Sequence, residues 1–457
     1  MAGSLFERTL ATAEMEAVFA DASLLGAMLA FEAALAGAEA DAGVVPEAAA
    51  KSIAAACRVE HFDIEAIVAE ARRAGSIAIP LVRHLTARVA AADAAAAAFV
   101  HRGSTSQDVI DTAMVLATQR AVALIEADLD RLVASLFALA RQHAATPMLA
   151  RTLMQPAQVI SFGFKVVAWL APLVRARERL ARAAASALQL QFGGAVGTLG
   201  ALDGHGADIA RRLGERLGLP VPAAAWHVQR DAWVALGSEV ALLGGSLGKI
   251  GHDLALLAQG EVGEAAEAHQ AGRGGSSAMP NKRNPVAALI AIAAAARTPL
   301  LHAALLAAMP QEHERSLGLW QAELAAWPAL FLAAHGSLRA LADIAPELGI
   351  DAVRMRANID AQRGAVFAES AVSLLAESIG KTRAHDLLAR LAAESAAEGT
   401  HLEALVRREV GADAALAALD RARIATAFDV DAAARRAGVL AVAQLDALQR
   451  NEEGTST

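Results

Sequence analysis

The longest stretch without a helix breaker is the feature that most constrains how this chain can fold. No glycine or proline occurs between Val109 and Thr146, and apolar residues recur along that run at helical spacing. As one helix the run would be about 57 Å long, at a rise of about 1.5 Å per residue. A helix of that length needs long neighbours to cover its apolar face. The sequence therefore predicts a central bundle of long helices.

Three further helical patterns follow this run. The second is expected from Pro156 to Gln191, where a glycine-rich loop at 191–206 ends it. The third is expected from Asp231 to about Ala271, and the fourth begins at Pro285 with Asn284 as its N-cap. Glycines in the third pattern predict close approach of a neighbouring helix: Gly237, Gly244, Gly245, Gly248 and Gly251.

The composition favours helices over strands throughout the chain. Alanine, the best helix former, is abundant, whereas aromatic residues make up 4% of the chain and tyrosine is absent. We expect an all-α protein with three helical domains at 1–108, 109–346 and 347–457. The middle domain would hold the long helices, and the outer two would hold shorter ones.

Charge and motif content exclude several classes of partner. A net charge of -8 makes a nucleic-acid partner unexpected. The single cysteine, Cys57, cannot form an intrachain disulfide, which favours a reducing cytoplasm. The most apolar run, 286–296, stops at Arg297 and is shorter than the roughly 18–20 residues of a membrane span. No cysteine pair, HExxH or nucleotide loop is present, so we expect neither a metal nor a cofactor.

The segment 274–285, GGSSAMPNKRNP, points to chemistry on an anion. Its glycines permit backbone angles closed to other residues, and its end is anchored where a helix is expected to start. Such a loop can fold over an anion and bring Ser276, Ser277 and Lys282 to it. The sequence therefore predicts cofactor-free proton chemistry on a polyanionic small molecule.

Four more polar clusters lie at the ends of the long patterns. HRGSTSQD (101–108) has capping-box spacing and places His101, which titrates near neutral pH, just upstream. ARTLMQPAQ (150–158) offers Arg151, Thr152 and Gln155 to an anion. The other two are AWHVQRDAW (225–233) and QEHERSLGLWQAE (311–323), the latter with His313, Glu314 and Arg315 as a charged network. A capped helix, a surface turn, a domain contact and an ordinary salt-bridge cluster remain open interpretations.

The loop resembles the signature GSSxMPxKxNP of the fumarase/aspartase superfamily at every fixed position from Gly275 to Pro285. The resemblance implies an all-helical homotetramer whose central domains form a twenty-helix core. It also implies active sites that three subunits build together, from regions matching 101–108, 150–158 and 274–285. Ser277 would then be the residue that moves a proton beside a substrate carboxylate.

The same resemblance implies which residues bind the substrate. Lys282 and Asn284 would hold the carboxylate whose charge grows during reaction, and Thr105 and Ser106 would grip another. His101 is predicted to join Ser277 in catalysis. The remaining predicted substrate-binding residues are Gln107, Arg151, Gln155, His227 and Arg315.

Position 153 distinguishes between members of the superfamily. Lyases such as the adenylosuccinate lyases have a histidine where this chain has Leu153. The motifs at 101–113, 226–231, 272–285 and 311–323 instead resemble those of bacterial 3-carboxy-cis,cis-muconate cycloisomerases, although Arg102 and Ser104 replace an expected tryptophan and alanine. That resemblance implies closure of a small tricarboxylate to a lactone. The alternatives are an adenylosuccinate-lyase-like enzyme that releases fumarate and a catalytically silent structural protein.

Overall fold

The computed structural model describes residues 5–269 and 272–455, and helices dominate it. The α-helices are α1 (Leu5–Arg8), α2 (Ala13–Val18), α3 (Asp21–Asp41), α4 (Glu47–Ala56), α5 (Ile64–Ala74), α6 (Ala78–Ala92), α7 (Ser106–Gln142), α8 (Phe162–Ala187), α9 (Gly206–Leu217), α10 (Asp231–Leu257), α11 (Val286–Ala307), α12 (Leu319–Ile344), α13 (Ala352–Asp360), α14 (Ala368–Ile379), α15 (Lys381–Glu398), α16 (Leu402–Ala412), α17 (Arg421–Ala427) and α18 (Val430–Thr455). The strands are β1 (Pro147–Thr152), β2 (Gln155–Ser161), β3 (Ala265–Ala266) and β4 (Gly349–Ile350). The mostly helical fold is confirmed, with two small antiparallel sheets that were not expected.

The long helices confirm the predicted pattern with some changes of length. Helix α7 spans 37 residues, close to the predicted run. Helix α10 begins at Asp231 as expected but ends at Leu257, well before Ala271, which lies outside the described residues. Gly260 follows that end closely, and Gly263 has a φ of +61°, so the backbone leaves the helical region there.

The expected helix from Pro156 was wrong at its beginning. Residues up to Ser161 form β2, which pairs with β1 in an antiparallel hairpin. The two residues at the turn, Leu153 and Met154, have φ angles of +50° and +65°. Tight hairpin turns with two positive φ angles normally use asparagine and glycine, so this leucine-methionine turn gave no recognisable signal.

The expectation that no segment could span a membrane by length was also wrong. Within the part of the chain that the structure describes, three helices are long and apolar enough by length and composition: α3, α10 and α11. A single arginine such as Arg297 interrupts an apolar run without making the whole helix polar. Of these three helices α11 is the least covered, because only 22% of its most apolar segment is buried within the chain. Leu289, Leu300 and Leu306 on that helix are exposed.

The chain separates into two compact units, and the first comprises residues 1–129, 176–248 and 290–339. Its core concentrates the few aromatic residues. The indoles of Trp233 and Trp327 stack with centroids 3.9 Å apart, and Phe331 packs against Trp327. The Trp327 indole N–H also donates to Thr118 on α7, over 2.9 Å. The aromatic cluster thus fixes the long helices of this unit side by side.

Glycines on α10 permit the close helix contacts predicted for them. A Cβ on Gly248 would lie 2.2 Å from the Ala295 side chain, and one on Gly244 would lie 2.8 Å from Thr298. Gly237 similarly faces Leu305 and Trp327. At Gly245 no atom lies within 4 Å, so the prediction does not hold there.

The second unit comprises residues 130–175, 249–289 and 340–457. Leu149 and Val159 of the hairpin share one apolar core with the C-terminal helices, including Phe367, Leu375 and Leu388. The three-domain division at 108 and 346 stays a prediction.

Glu39 on α3 makes stability depend on pH. Its side chain is fully buried in the first unit, neither carboxyl oxygen has a hydrogen-bond partner among the described residues, and burial raises its pKa to about 8. Between its ordinary pKa and about 8 the unfolded chain ionises this group while the folded chain does not. The effect of Glu39 on stability is therefore most favourable at low pH in this window and becomes less favourable as pH rises, by on the order of 3 kcal/mol per chain at pH 7.

We therefore expect Glu39→Gln to remove this loss. Thermal unfolding followed by circular dichroism from pH 5 to pH 8 should show a flatter dependence of Tm on pH than in the wild type. The readout is the slope of Tm against pH and not Tm itself, because the buried glutamine side chain would lack hydrogen-bond partners just as the buried acid does. Equal slopes for the two proteins would show that Glu39 ionises normally.

Candidate active site

One group of predicted site residues lies at the N-terminus of α7. The carboxylate of Asp108, in the first turn of α7, accepts from the Thr105 backbone N–H at 3.1 Å, which is one of the two hydrogen bonds of a capping box. The hydroxyls of Thr105 and Ser106 are partly exposed and make no hydrogen bond to any residue that the structure describes. Two free hydroxyls at the positive end of a 37-residue helix form a suitable site for a carboxylate.

Asp108 also anchors the glycine-rich loop to this helix end. Its carboxylate is fully buried and accepts from the backbone N–H groups of Gly193 and Gly194 at 3.0 and 2.9 Å. It lies 2.7 Å from Nε2 of His227, which is buried as well. A Cβ on Gly193 would lie 2.7 Å from the His227 ring, so this packing requires glycine. The sequence predicts that His227 binds substrate, but in the structure its Nε2 is hydrogen-bonded to Asp108.

Arg315 binds backbone carbonyl groups of the same loop. Its guanidinium donates to the Gly194 carbonyl at 2.6 Å and to the Ala195 carbonyl at 3.1 Å. It also donates to Oε1 of Gln107 at 2.8 Å. Gln107 in turn donates to the His227 carbonyl at 2.7 Å. Gln107 and Arg315 therefore link the loop to α7, and their predicted contacts with substrate stay predictions.

Beneath these residues lies a buried ion network centred on Arg230. Its guanidinium is fully buried and donates to Asp111 at 2.8 Å and to Glu323 at 3.0 Å. The Trp320 indole N–H donates to Asp111 as well. Burial opposes the charge on Arg230, but Asp111 and Glu323 outweigh it and raise its pKa, so it remains a cation. The charged network predicted for His313, Glu314 and Arg315 was wrong, because His313 and Glu314 are exposed and Arg315 bonds to Gln107 and to backbone carbonyls. The residue of 311–323 that enters a buried ion network is Glu323.

His101 stands beside this helix end in a strained conformation. Its φ is +59°, an uncommon value for a residue other than glycine, and its Nδ1 lies 2.7 Å from Oε1 of Glu32 on α3. Burial alone would lower its pKa, but the Glu32 charge and hydrogen bond, together with the charge of Asp108, raise it. His101 therefore holds its proton to a higher pH than a free histidine does.

A second group of predicted site residues lies on the signature loop, which belongs to the other unit. Its ends are joined by a hydrogen bond from the Asn284 N–H to the Gly274 carbonyl at 2.8 Å. Gly274 has a φ of +69°, and a Cβ there would lie 2.6 Å from the Asn284 carbonyl oxygen, so the closure requires glycine. The segment between them is an exposed, closed loop that carries Ser277 and Lys282.

The loop distinguishes its two serines. The Ser276 hydroxyl accepts from the N–H of Met279 at 3.1 Å, so it stabilises the loop itself. The Ser277 hydroxyl and the Lys282 ammonium group are exposed and bond to none of the described residues. Ser277 is therefore the serine that is free for chemistry.

The predicted N-cap role of Asn284 was wrong. Its side-chain amide donates to the Gly275 carbonyl at 3.3 Å. The first N–H groups of α11, those of Ala287 and Ala288, donate instead to the Glu267 carboxylate at 2.9 and 3.1 Å. A carboxylate twenty residues upstream thus caps the helix and stabilises its positive end. The predicted contact of Asn284 with substrate stays a prediction.

Arg151 and Gln155 lie on the hairpin of the same unit. Both terminal nitrogens of Arg151 donate to the fully buried Glu264, at 2.9 and 2.7 Å. Since this bidentate pair uses the guanidinium, the geometry favours a structural role for Arg151 over anion binding. Gln155 is exposed at the start of β2.

The structure thus divides the predicted site residues between the two units. His101, Thr105, Ser106, Gln107, His227 and Arg315 lie in the first, and Arg151, Gln155, Ser277, Lys282 and Asn284 lie in the second. Within the described residues no group of three or more histidine, cysteine, aspartate or glutamate side chains is placed to hold a metal ion.

Sequence reasoning missed the buried acids that organise the first set. These are Glu32, Asp111 and Glu323, together with the buried contacts of Asp108, for which the sequence predicted only helix capping. One signal was available: each is a carboxylate set among apolar residues of a helical pattern, where an acid needs a partner.

Fold and signature loop together define the class of this protein. A family model described as lyase matches residues 7–299. The chain belongs to the fumarase/aspartase superfamily of lyases, which confirms the resemblance of the loop.

Individual relatives are similar over almost the whole chain. The 3-carboxy-cis,cis-muconate cycloisomerase of Bradyrhizobium diazoefficiens is 47% identical over 97% of both chains. The nitrosuccinate lyase of Streptomyces davaonensis is 44% identical over 85% of this chain and 83% of its own. The crystal structure of the 3-carboxy-cis,cis-muconate lactonizing enzyme from Pseudomonas putida matches with a TM-score of 0.90 and 41% identity, covering 98% of this chain and 99% of that one.

Proposed function

We propose that the protein is a cofactor-free cycloisomerase that closes 3-carboxy-cis,cis-muconate to 4-carboxymuconolactone, in the catabolism of protocatechuate. The observation that carries the proposal is Leu153 at the hairpin turn, where the lyases that the sequence resembles carry a histidine. Its side chain is 96% exposed and can neither give nor take a proton. A reaction whose nucleophile belongs to the substrate, and which expels no leaving group, has no need of an acid there. The similarity to the named cycloisomerase and lactonizing enzyme supports the same reaction.

The proposed chemistry is an internal addition across a double bond. An oxygen of one substrate carboxylate bonds to the carbon at one end of that bond. The electron pair moves to the neighbouring carbon, alpha to a second carboxylate, and this carbon takes the proton of the Ser277 hydroxyl. Ser277 then recovers a proton from solvent. All substrate atoms remain in the product.

Residues of the signature loop and residues at the start of α7 would both stabilise the negative charges of the reaction. As the ring closes, negative charge grows on the second carboxylate, and an alkoxide forms on Ser277. The exposed Lys282 ammonium group can offset either charge, and the Asn284 amide can donate to the carboxylate. Thr105 and Ser106 at the start of α7 would hold another carboxylate of the same substrate.

The complete site would form in a homotetramer. The apolar side chains exposed on α11 need a cover, and a second copy of the chain supplies an equally apolar one. Sharing of sites between subunits would bring the signature loop of one chain to the α7 terminus of another. A cytoplasmic location agrees with Cys57, whose thiol pKa is raised to about 12 by burial first and by Glu32 second. Such a thiol is inert.

Elimination from nitrosuccinate is the second candidate, because a relative with that name is 44% identical. There Ser277 would remove a proton alpha to one carboxylate while the nitro group leaves from the adjacent carbon as nitrite. The proton would travel in the opposite direction, with the same residues holding the carboxylates.

A comparison of substrates tests the proposal. Lactone formation removes the conjugated absorbance of 3-carboxymuconate, so the rate can be followed by spectrophotometry, in the presence of a chelator. We expect kcat/KM for 3-carboxymuconate to exceed that for nitrosuccinate and for adenylosuccinate. A higher value for nitrosuccinate, with nitrite released, would favour the second candidate. Fumarate release from adenylosuccinate would favour the adenylosuccinate-lyase alternative, and no turnover of any of the three would favour the structural protein.

A further inference from the structure

Glu32 is a buried acid that the proposed chemistry leaves without a role. It lies on α3 with a side chain that is 1% exposed, and its Oε1 is 2.7 Å from Nδ1 of His101. Its other oxygen, Oε2, is buried and has no hydrogen-bond partner among the described residues. A carboxylate in that position is costly unless a neighbouring charge offsets it. The partner that the geometry provides is the His101 imidazole.

The backbone of His101 adopts a left-handed conformation, which residues other than glycine rarely adopt. A φ of +59° is unfavourable for a residue other than glycine, and such backbone strain clusters at functional sites. The chain cannot relax easily on the downstream side, because Gly103 also has a positive φ and packs against Leu202. His101 lies two residues before Gly103, and the strained turn places its imidazole next to Glu32.

The hydrogen bond at Nδ1 also determines what the other ring nitrogen can do. With Nδ1–H donated to Glu32, Nε2 is left without a partner among the described residues, and the ring is partly exposed. His101 lies in the same unit as Thr105 and Ser106, a few residues before their free hydroxyls at the start of α7. An imidazolium at that place can donate from Nε2 to the substrate carboxylate that these hydroxyls would hold.

We propose, on the basis of the proposed function, that Glu32 is a positioning residue: it holds the His101 ring through Nδ1 and keeps it protonated, so that Nε2–H donates to a substrate carboxylate. Among the described residues, few other ionisable groups interact with Glu32 or His101. Asp108 acts on His101 in the same sense as Glu32. Glu39, which is buried, and Cys57, which is half-buried, are both influenced by Glu32, and Arg102 lies near Glu39.

Glu39 supplies a matched control on the same helix. It is buried seven residues further along α3, and it makes no hydrogen bond to His101 or to any other described residue through its carboxyl group. Because its pKa is about 8, replacement by glutamine changes no charge at neutral pH. Glu32→Gln keeps an acceptor for Nδ1–H and removes the charge.

The test has one readout that needs no substrate. Exchange of the imidazole C2 hydrogen, followed by mass spectrometry of the peptide that contains His101, reports the pKa of that ring. In the wild type we expect His101 to titrate above a free histidine, and in Glu32→Gln we expect the titration to move to lower pH. Glu39→Gln should match the wild type. An unchanged titration in Glu32→Gln would overturn the pairing, whatever the enzyme acts on.

The second readout is the pH profile of kcat/KM with 3-carboxymuconate. Removal of the Glu32 charge should move the alkaline limb to lower pH and cost about tenfold or more at pH 8. Glu32→Asp, which keeps the charge, should retain part of the wild-type profile. A merely structural role would lower activity equally at every pH and would leave the limb in place. If Glu32→Gln does not fold, the wild-type exchange titration decides alone: a free-histidine value there contradicts the proposal.

Discussion

Replacement of Ser277 by alanine is expected to lower kcat by about a thousandfold while the protein still folds and assembles normally. The reason is chemical: in the proposed reaction the Ser277 hydroxyl is the group that gives up the proton. Its freedom from hydrogen bonds to the described residues agrees with that role. The measurement is steady-state turnover of 3-carboxymuconate, with circular dichroism and size-exclusion chromatography as checks of fold and assembly.

Ser276→Ala is the matched control, since it removes the neighbouring hydroxyl from the same loop. That hydroxyl accepts from the Met279 N–H at 3.1 Å, so its loss should loosen the loop. We expect a decrease of about tenfold or less, because one neutral hydrogen bond contributes on the order of 1 kcal/mol. The assignment would be reversed if Ser276→Ala were inactive and Ser277→Ala turned over normally.

Replacement of Arg230 by methionine is expected to destabilise the folded chain by about 3–5 kcal/mol. Methionine fills much of the volume but leaves Asp111 and Glu323 without their shared cation. Asp111 keeps the Trp320 indole N–H at 2.9 Å, whereas Glu323 keeps no donor among the described residues. Burial already raises the pKa of Glu323, so in the variant it should fold as the neutral acid. Thermal and urea unfolding would measure the loss.

Arg408 provides the matched control at the surface. Its guanidinium bonds to Glu394 and Glu409, but its side chain is 50% exposed. Arg408→Met should therefore change stability much less than Arg230→Met does, because exposed ion pairs are screened by solvent. Equal losses for the two variants would mean that the buried network contributes no more than a surface pair.

The long helices and the signature loop could be read from the sequence because their signals are local. An unbroken helical period predicts α7, and a run of glycine, serine and proline at 274–285 predicts a closed loop before α11. The sequence also indicated Ser277 over Ser276 by resemblance. The structure adds a physical reason, since the Ser276 hydroxyl is used within the loop.

The hairpin could not be predicted because its turn breaks the usual rule. Leu153 and Met154 occupy a turn that normally takes asparagine and glycine, and neither residue signals positive φ. The neighbouring Pro156 favours the start of a helix by its position, although proline is equally compatible with the first part of an edge strand.

The buried polar network was beyond the sequence for a different reason. Gln107 contacts His227 across 120 positions, and Arg230 contacts Glu323 across 93. Such pairs depend on how the helices pack, and nothing local in the chain records that. Composition could indicate only that a carboxylate on an apolar helix face needs a partner, as Glu32 does.

The reaction itself is the central claim, and the product formed in deuterated water tests it most directly. NMR spectroscopy of the product of 3-carboxymuconate should show a lactone with one deuterium on the carbon alpha to a carboxylate, and no smaller acid released. Ser277→Ala should yield about a thousandfold less of it under the same conditions. Unchanged 3-carboxymuconate, with nitrosuccinate converted to fumarate and nitrite by the same preparation, would contradict the account.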